Sequence, residues 1–193
     1  MNNATLSVIE WNSSHYLRCL TLRNEQLRRD EGLEDLLIAP EEEARCIHLA
    51  AIIDKEIVAT MHLEPIDESE IRICQMVVAR FARGRGIGAD LIAFGEQIAA
   101  EMGFRVITLN GKIEAWGFYE RLGFTACGDQ RAWMSTTVKP YRKRIGCSCR
   151  SAHRGTRVLE SRLERDDLRR DNLCVAHKHA RHRRAARPAG VCG

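Results

Sequence analysis

Three of the six residues from Arg83 to Gly88 are glycine, and this run lies between a predicted strand and a predicted helix. The strand, Ile71 to Ala79, is rich in β-branched and apolar residues. The helix carries a single apolar stripe and ends before Gly103. The first turn of a helix has backbone N–H groups without intrahelical partners, and glycines allow an anion to approach them closely. The run therefore predicts a phosphate site at the helix N-terminus, with the charges of Arg83 and Arg85 at its rim.

Three kinds of glycine-rich turn compete for this pattern. A P-loop ends in Gly-Lys-Ser/Thr, whereas Gly88 is followed by Ala89-Asp90, so that class is excluded. The dinucleotide-binding fingerprint nearly fits as Gly84-x-Gly86-x-x-Ala89, but the next strand ends at Asn110 without the acidic residue that would hold a ribose. A glycine turn that binds no ligand is the third interpretation.

The rest of the chain predicts a mixed α/β order, with an antiparallel meander before the glycine run. Apolar or alternating runs predict strands, and apolar residues at helical spacing predict helices. The predicted strands are Thr5–Trp11, Ile47–Ile53, Glu56–Leu63, Ile71–Ala79, Arg105–Leu109, Phe124–Cys127 and Ala132–Val138. The predicted helices are His15–Arg29, the segment that begins near Gly86, and Ile113–Leu122.

Two differently composed pieces of the chain join near Lys139-Pro140. Residues 1–138 hold 14 Lys and Arg against 21 Asp and Glu, a balance of −7. Residues 139–193 hold 16 against 5, a balance of +11, and are rich in Arg, Cys and His. We therefore predict one domain over residues 1–138 and a basic, disordered extension over residues 139–193. The acidic domain does not suggest a nucleic-acid binder, and only the extension has the charge for that role.

The cysteines and the N-terminus bear on location. Four cysteines of the predicted domain lie in or beside apolar stretches, which predicts buried thiols: Cys19, Cys46, Cys74 and Cys127. No apolar run reaches the roughly 20 residues that a membrane helix needs, and Met1 to Ser14 lacks a signal-peptide pattern. These features predict a cytoplasmic protein. Cys147-x-Cys149 and Cys174-x-x-His177 offer zinc-type ligands at irregular spacing, so no metal site is predicted.

Two segments together resemble one enzyme family. The run from Arg83 to Gly88 looks like the acetyl-CoA signature Arg/Gln-x-x-Gly-x-Gly/Ala of the GNAT acetyltransferases. Residues Leu109 to Phe124 resemble the family's second block, with its Ala-x-x-Phe-Tyr-x-x-x-Gly-Phe pattern, and the interval between the blocks fits one helix and one strand. The resemblance covers residues 5–138. It implies the α/β GNAT fold, with a mostly antiparallel sheet, flanking helices, and fourth and fifth strands that splay apart.

The resemblance also implies a role for each matching residue. Acetyl-CoA would be the co-substrate, with its pyrophosphate on the backbone N–H groups of the glycine run and its pantetheine arm along the fourth strand. Tyr119 would be the general acid that protonates the leaving thiolate, and the backbone N–H of Val78 would stabilise the oxyanion. The implied cofactor-binding positions are Met76, Val77, Val78, Arg83, Gly84, Arg85, Gly86, Ile87, Gly88, Asn110, Ala115 and Tyr119.

The acetyl acceptor is less defined than the donor. The resemblance implies transfer to an amine of a small molecule or peptide, which attacks directly in a ternary complex. An amine with a pKa of ~10 must first lose a proton. Glu64, at the end of an apolar strand, is preferred as its base over Glu70, Gln75, His48 and His62. The region Arg18–Glu43 is expected to set specificity, with arginines such as Arg23 on a solvated helix face. A CoA-binding or sensing module without efficient catalysis, a nucleic-acid anchor in the extension, and a homodimer are left open.

Overall fold

The computed structural model describes residues 3–146. Within this range, eight strands and three α-helices follow the predicted order, except that two strands stand where the last of seven was predicted, and short 3-10 turns connect several of them. The strands are β1 Thr5–Ile9, β2 Ile47–Ile53, β3 Glu56–Pro65, β4 Glu70–Val78, β5 Val106–Lys112, β6 Thr125–Ala126, β7 Arg131–Trp133 and β8 Thr136–Arg144. The α-helices are α1 Ser14–Arg23, α2 Ile87–Glu101 and α3 Trp116–Arg121.

All eight strands belong to one sheet in the order β1-β2-β3-β4-β5-β8-β6, with β7 paired to β8. Every pairing is antiparallel except that of β4 with β5, which is parallel. The predicted mixed α/β class with a mostly antiparallel sheet is therefore confirmed. The change of direction falls between β4 and β5, because α2 forms the crossover that a parallel pair requires.

The helices cover opposite faces of the sheet. Tyr16 of α1 makes an edge contact with His48 of β2, with 4.8 Å between the ring centroids. On the other face, a Cβ at Gly95 of α2 would meet the side chains of Met61 and Leu49. Since His48 and Leu49 are neighbours on one strand, α1 and α2 lie on opposite faces. We call these the α1 face and the α2 face.

The predicted helix His15–Arg29 forms, but its second half is not regular α-helix. Ser13 caps α1 by accepting the backbone N–H of Tyr16 at 3.2 Å. The helix continues as a π-turn, Asn24–Arg28, and a 3-10 turn, Arg29–Glu31, and ends at Gly32, whose φ is 69°. We call residues 24–31 the α1 extension. Asn24 is the buried anchor of this region, because its side chain exchanges two hydrogen bonds with the backbone of Leu36.

The last predicted strand, Ala132–Val138, is wrong in one respect. The segment is a hairpin of β7 and β8 that turns at Met134, whose φ is 50°. No glycine marks this turn, so the sequence carried no signal for it. β8 then continues to Arg144, so the sheet extends past residue 138, where the composition changes. The predicted features of the extension from Cys147 onward lie outside the described residues.

None of the helices in residues 3–146 combines the length and the apolar character that crossing a bilayer requires.

Candidate functional site

The two strands on either side of the crossover form a fork. β4 pairs with β5 only from Glu70 to Arg72, and no other strand within residues 3–146 pairs with the rest of β4 on that side. A bulge in β4 increases the divergence, because the register with β3 shifts between Thr60 and His62, and Gln75 in the bulge has a φ of 51°. The predicted splay of the fourth and fifth strands is therefore confirmed. It leaves the β5-facing backbone of Met76 to Val78 without a strand partner among residues 3–146.

The glycine run lies at the open end of the fork. Gly84 and Gly86 have φ values of 74° and 82°, a conformation that favours glycine over other residues. Gly86 is the N-cap of α2 and has no side chain that could satisfy the first N–H groups of the helix. Those donors and the positive end of the helix dipole therefore point toward the fork and favour an anion there.

Gly88 serves a different purpose, which is close packing. A Cβ at this position would lie 3.1 Å from Cε of Met76, 3.3 Å from Cγ2 of Val78 and 3.4 Å from Cζ of Phe118. These three residues come from β4 and α3, so Gly88 lets α2 approach both sides of the fork. Ile87, beside it, is a core residue with 1% exposure.

The guanidinium of Arg83 forms hydrogen bonds at the open end of the fork. Its Nε donates to the carbonyl of Val78 at 3.0 Å, and its NH2 donates to Oε1 of Gln26 at 3.2 Å. Arg83 thus fixes the end of β4 and connects it to the α1 extension. Its predicted contact with phosphate, like that of Arg85, stays a prediction.

The second side of the fork carries Tyr119, on α3. The ring is 8% exposed, and the hydroxyl donates to Sδ of Met76 at 3.8 Å, so it reaches across the fork to the bulged strand. Burial raises the pKa of Tyr119 to about 12, which keeps the hydroxyl protonated at neutral pH. Asn110 is exposed near the end of β5, and Ala115 ends the short turn before α3. The structure therefore brings Tyr119 and Met76 into contact.

Glu64 lies on the α1 face, one strand away from the fork. Its Oε1 accepts a hydrogen bond from Arg45 at 3.4 Å, and its Oε2 lies 3.9 Å from NH1 of Arg72. Oε2 also accepts a weak hydrogen bond from Sγ of Cys74 at 3.7 Å, next to the bulge. The carboxylate is partly exposed, so it is open to water and to a molecule above the fork.

Comparison with known proteins decides which family this geometry represents. The model of the acetyltransferase (GNAT) family matches residues 8–124 of the chain. The chain belongs to the GNAT acetyltransferase family. The match includes the bulged β4, the glycine run, α2, β5 and the Tyr119 helix, which are the elements that form the fork.

Solved structures with the same fold share less than a quarter of the sequence. An acyl-CoA N-acyltransferase from Pseudomonas aeruginosa matches with a TM-score of 0.59 and 20% identity, over 73% of this chain and 99% of that chain. An aminoglycoside 6'-N-acetyltransferase complexed with coenzyme A matches at 0.62 and 18%, over 72% and 96%. A GNAT family acetyltransferase from Elizabethkingia anophelis with acetyl-CoA bound matches at 0.57 and 16%, over 75% and 100%. These structural similarities show that the chain shares the fold of these proteins.

This GNAT domain also contains a buried polar cluster on the α1 face. Arg23 donates to both oxygens of Glu43, at 2.8 and 2.6 Å, and Tyr16 donates to Oε2 at 2.7 Å. His48 contacts the carbonyl of Glu43 at 2.9 Å, and Nδ1 of His62 lies 3.8 Å from Oε2. The expectation of a solvated Arg23 is therefore wrong, since this residue is only 4% exposed. Its position six residues before the predicted helix end gave no sign of a buried carboxylate 20 residues later.

The cluster has the electrostatics of a structural ion pair. Burial acts against the charged form of Glu43, but the hydrogen bonds and charge of Arg23 outweigh it and lower the pKa of Glu43 to about 2. Burial lowers the pKa of His62 to about 4, so this ring is neutral at pH 7. Glu43, His48 and His62 could present metal-ligand atoms within 4.8 Å of one another. Both oxygens of Glu43 already bind the Arg23 cation, so these residues do not fit a metal site.

The α1 extension connects both arms of the fork in this GNAT domain. Arg80, which follows β4, forms an ion pair with Asp30 at 3.2 Å. Lys112, at the end of β5, and Ser135, between β7 and β8, both donate to Glu31. The hydrogen bonds from Lys112 and then Ser135 lower the pKa of Glu31 to about 2. The extension therefore lies across the open end of the fork.

Proposed function

We propose that this enzyme transfers the acetyl group of acetyl-CoA to an amine by direct attack in a ternary complex. The observation that carries the proposal is the meeting of three groups at one fork. These are the uncapped N-terminus of α2, the edge of β4 beyond Arg72 that β5 does not pair, and the hydroxyl of Tyr119.

The fork has a place for each part of the cofactor. The N–H groups of Arg85 to Gly88 are the donors for the pyrophosphate, and Gly84 gives the loop its left-handed turn. The β5-facing backbone groups between Met76 and Val78, which have no strand partner, pair with the amides of the pantetheine arm, as an added strand would. The exposed Asn110 lies on β5, on the other side of the fork and five residues before Ala115, and is available to the pantetheine amides.

The chemistry follows from this placement. The amine nitrogen forms a bond to the thioester carbonyl carbon, and the backbone N–H of Val78 stabilises the oxyanion. The carbon–sulfur bond then breaks, and the Tyr119 hydroxyl gives its proton to the departing sulfur. The raised pKa of Tyr119 suits this role, since the donor is fully protonated when the thiolate leaves. The products are the acetylated amine and CoA.

Glu64 is the proposed base that takes the proton of the amine. Its Oε2 reaches Cys74, the residue immediately before the bulge, and this position lies on the face opposite α2. The proton passes from the amine to this carboxylate through a water molecule. The proton then leaves through the exposed side of the carboxylate.

The test is a screen that measures thiol release from acetyl-CoA over a panel of amines. Gly84→Ala is the informative variant and Gly103→Ala its control, because both glycines have positive φ and no atom within 4 Å of a new Cβ. Each substitution should cost about 1–2 kcal/mol of stability. Only Gly84→Ala should raise the KM for acetyl-CoA, by about tenfold for a cost of that size.

Two results would contradict the proposal. Equal effects of the two substitutions on KM would separate the glycine run from cofactor binding. Binding of CoA without thiol release on any amine would favour a CoA-binding module over an enzyme.

A further inference from the structure

A row of polar side chains crosses the α1 face beside the fork. The register places Arg72 of β4 next to Glu64 of β3 on one side and Thr108 of β5 on the other. Thr108 is in turn paired with Arg142 of β8. Paired residues of neighbouring strands share a face, so these four side chains form one continuous row.

A contact on the α2 face confirms that the side chains of this row lie on the α1 face. Lys143, next to Arg142, forms an ion pair with Glu96 of α2 at 2.7 Å. Lys143 therefore points to the α2 face, and Arg142 points to the α1 face. The hydroxyl of Thr108 donates to Oε1 of Glu70 at 3.1 Å, as expected for neighbours on a shared face.

The row has an excess of positive charge in a domain that is otherwise acidic. Arg72 and Arg142 belong to the row, and Arg45 reaches it through Glu64. Glu64 is the only carboxylate in salt-bridge range of Arg45 and Arg72 within residues 3–146, at 3.4 and 3.9 Å. Over the same residues, no carboxylate comes within that range of Arg142. With Glu70, which contacts Thr108, two carboxylates thus face three guanidinium groups.

This charge pattern bears on the acceptor. A simple ammonium ion gains nothing from three arginines beside the base, whereas guanidinium groups match a carboxylate in shape and charge. Arg72 lies two residues before Cys74, so its row is roughly 7 Å along the strand from Cys74, the residue before the bulge. An amine near Glu64 at the bulge and a carboxylate on the arginine row are therefore a few bonds apart in one small molecule.

We infer that the acceptor is a small amino carboxylate, whose amine approaches Glu64 and whose carboxylate is held by Arg72 and Arg142. The inference rests on the proposed acetyl transfer and names the substrate class of that site. It assigns specificity to the open sheet face of β4, β5 and β8, in addition to the α1 region.

The test compares each acid with its uncharged amide in the acetyl-CoA assay. Glycine, β-alanine, 4-aminobutanoate and 5-aminopentanoate, each beside its primary amide, vary the spacing between amine and charge. We expect kcat/KM for the best acid to exceed that of its amide by about tenfold or more, as for a charge-assisted contact. Arg72→Gln and Arg142→Gln should each reduce this acid-to-amide ratio toward one. Arg121→Gln, on α3 at the other face, is the matched control and should leave the ratio unchanged.

A second measurement uses the unmodified protein, so misfolding of a variant cannot affect its result. Butanoate should inhibit competitively against the amine, and butanamide should not. Equal or better turnover of the amides would overturn the inference, as would turnover of other amines with none of the acids consumed. Absence of turnover with every amine would instead overturn the proposed function and this inference with it.

Discussion

Replacing Tyr119 with phenylalanine tests the proposed chemistry with little disturbance of the fold. The only hydrogen bond of the hydroxyl within residues 3–146 is the weak one to Sδ of Met76, at 3.8 Å. Its loss should cost less than about 1 kcal/mol of stability. The loss of a proton donor to the leaving thiolate should lower kcat by about 10²–10⁴, while the KM for acetyl-CoA stays within a few-fold.

Tyr141→Phe is a matched control, because the two rings are neighbours with centroids 6.1 Å apart. The Tyr141 hydroxyl donates to Oε1 of Glu120 at 2.9 Å and not, as Tyr119 does, to a residue of β4. Its removal should cost about 1.5–3 kcal/mol of stability and leave kcat unchanged. The assays are steady-state kinetics and urea denaturation of each variant. Unchanged kcat in Tyr119→Phe, or an equal loss in Tyr141→Phe, would refute the role of Tyr119.

Two further predictions concern the buried cluster. Arg23→Met leaves Glu43 buried without its partner and should cost about 3–5 kcal/mol in urea denaturation, whereas Arg18→Met, at an exposed pair with Glu56, should cost below about 1 kcal/mol. Acid should also destabilise the fold. The pKa of His62 is 6.5 in the unfolded chain and about 4 in the folded chain. The pKa of Glu43 is 4.5 in the unfolded chain and about 2 in the folded chain. The unfolded state therefore binds more protons over these pH ranges, so the unfolding free energy should fall as the pH falls from 6.5 to 2. Each unit of difference between the folded and unfolded pKa contributes on the order of 1.4 kcal/mol, which gives several kcal/mol in total. Equal losses of stability in Arg23→Met and Arg18→Met would contradict the first prediction. A melting temperature that does not change with pH would contradict the second.

Those parts of the site that depend on local structure could be predicted from the sequence. The glycine run specifies a left-handed turn and a helix start, and both are encoded within six residues. The fork itself follows from one parallel pairing beside antiparallel ones, which required the resemblance to a family as well as periodicity. Tyr119 and the glycine run are 31 residues or more apart in sequence, and only the fold shows that the Tyr119 hydroxyl meets β4.

The features that sequence reasoning missed depend on contacts between distant residues. The pairing of Arg23 with Glu43 puts two charges in the core, whereas isolated arginines on a helix are usually solvated. The turn at Met134 uses positive φ without glycine, and the α1 extension continues as a π-turn that no residue pattern announces. The arginine row needs the register of four strands before its members become neighbours.

The central claim is that the pyrophosphate of acetyl-CoA binds to the backbone amides at the start of α2. Titration of the isotope-labelled full chain with CoA, followed through ¹H–¹⁵N correlation spectra, tests it directly. The account predicts that the largest shifts belong to the amides of Gly84 to Gly88, and that Gly84→Ala requires more CoA to reach saturation. Shifts confined to the α1 face, with the amides of the glycine run unmoved at saturating CoA, would contradict it.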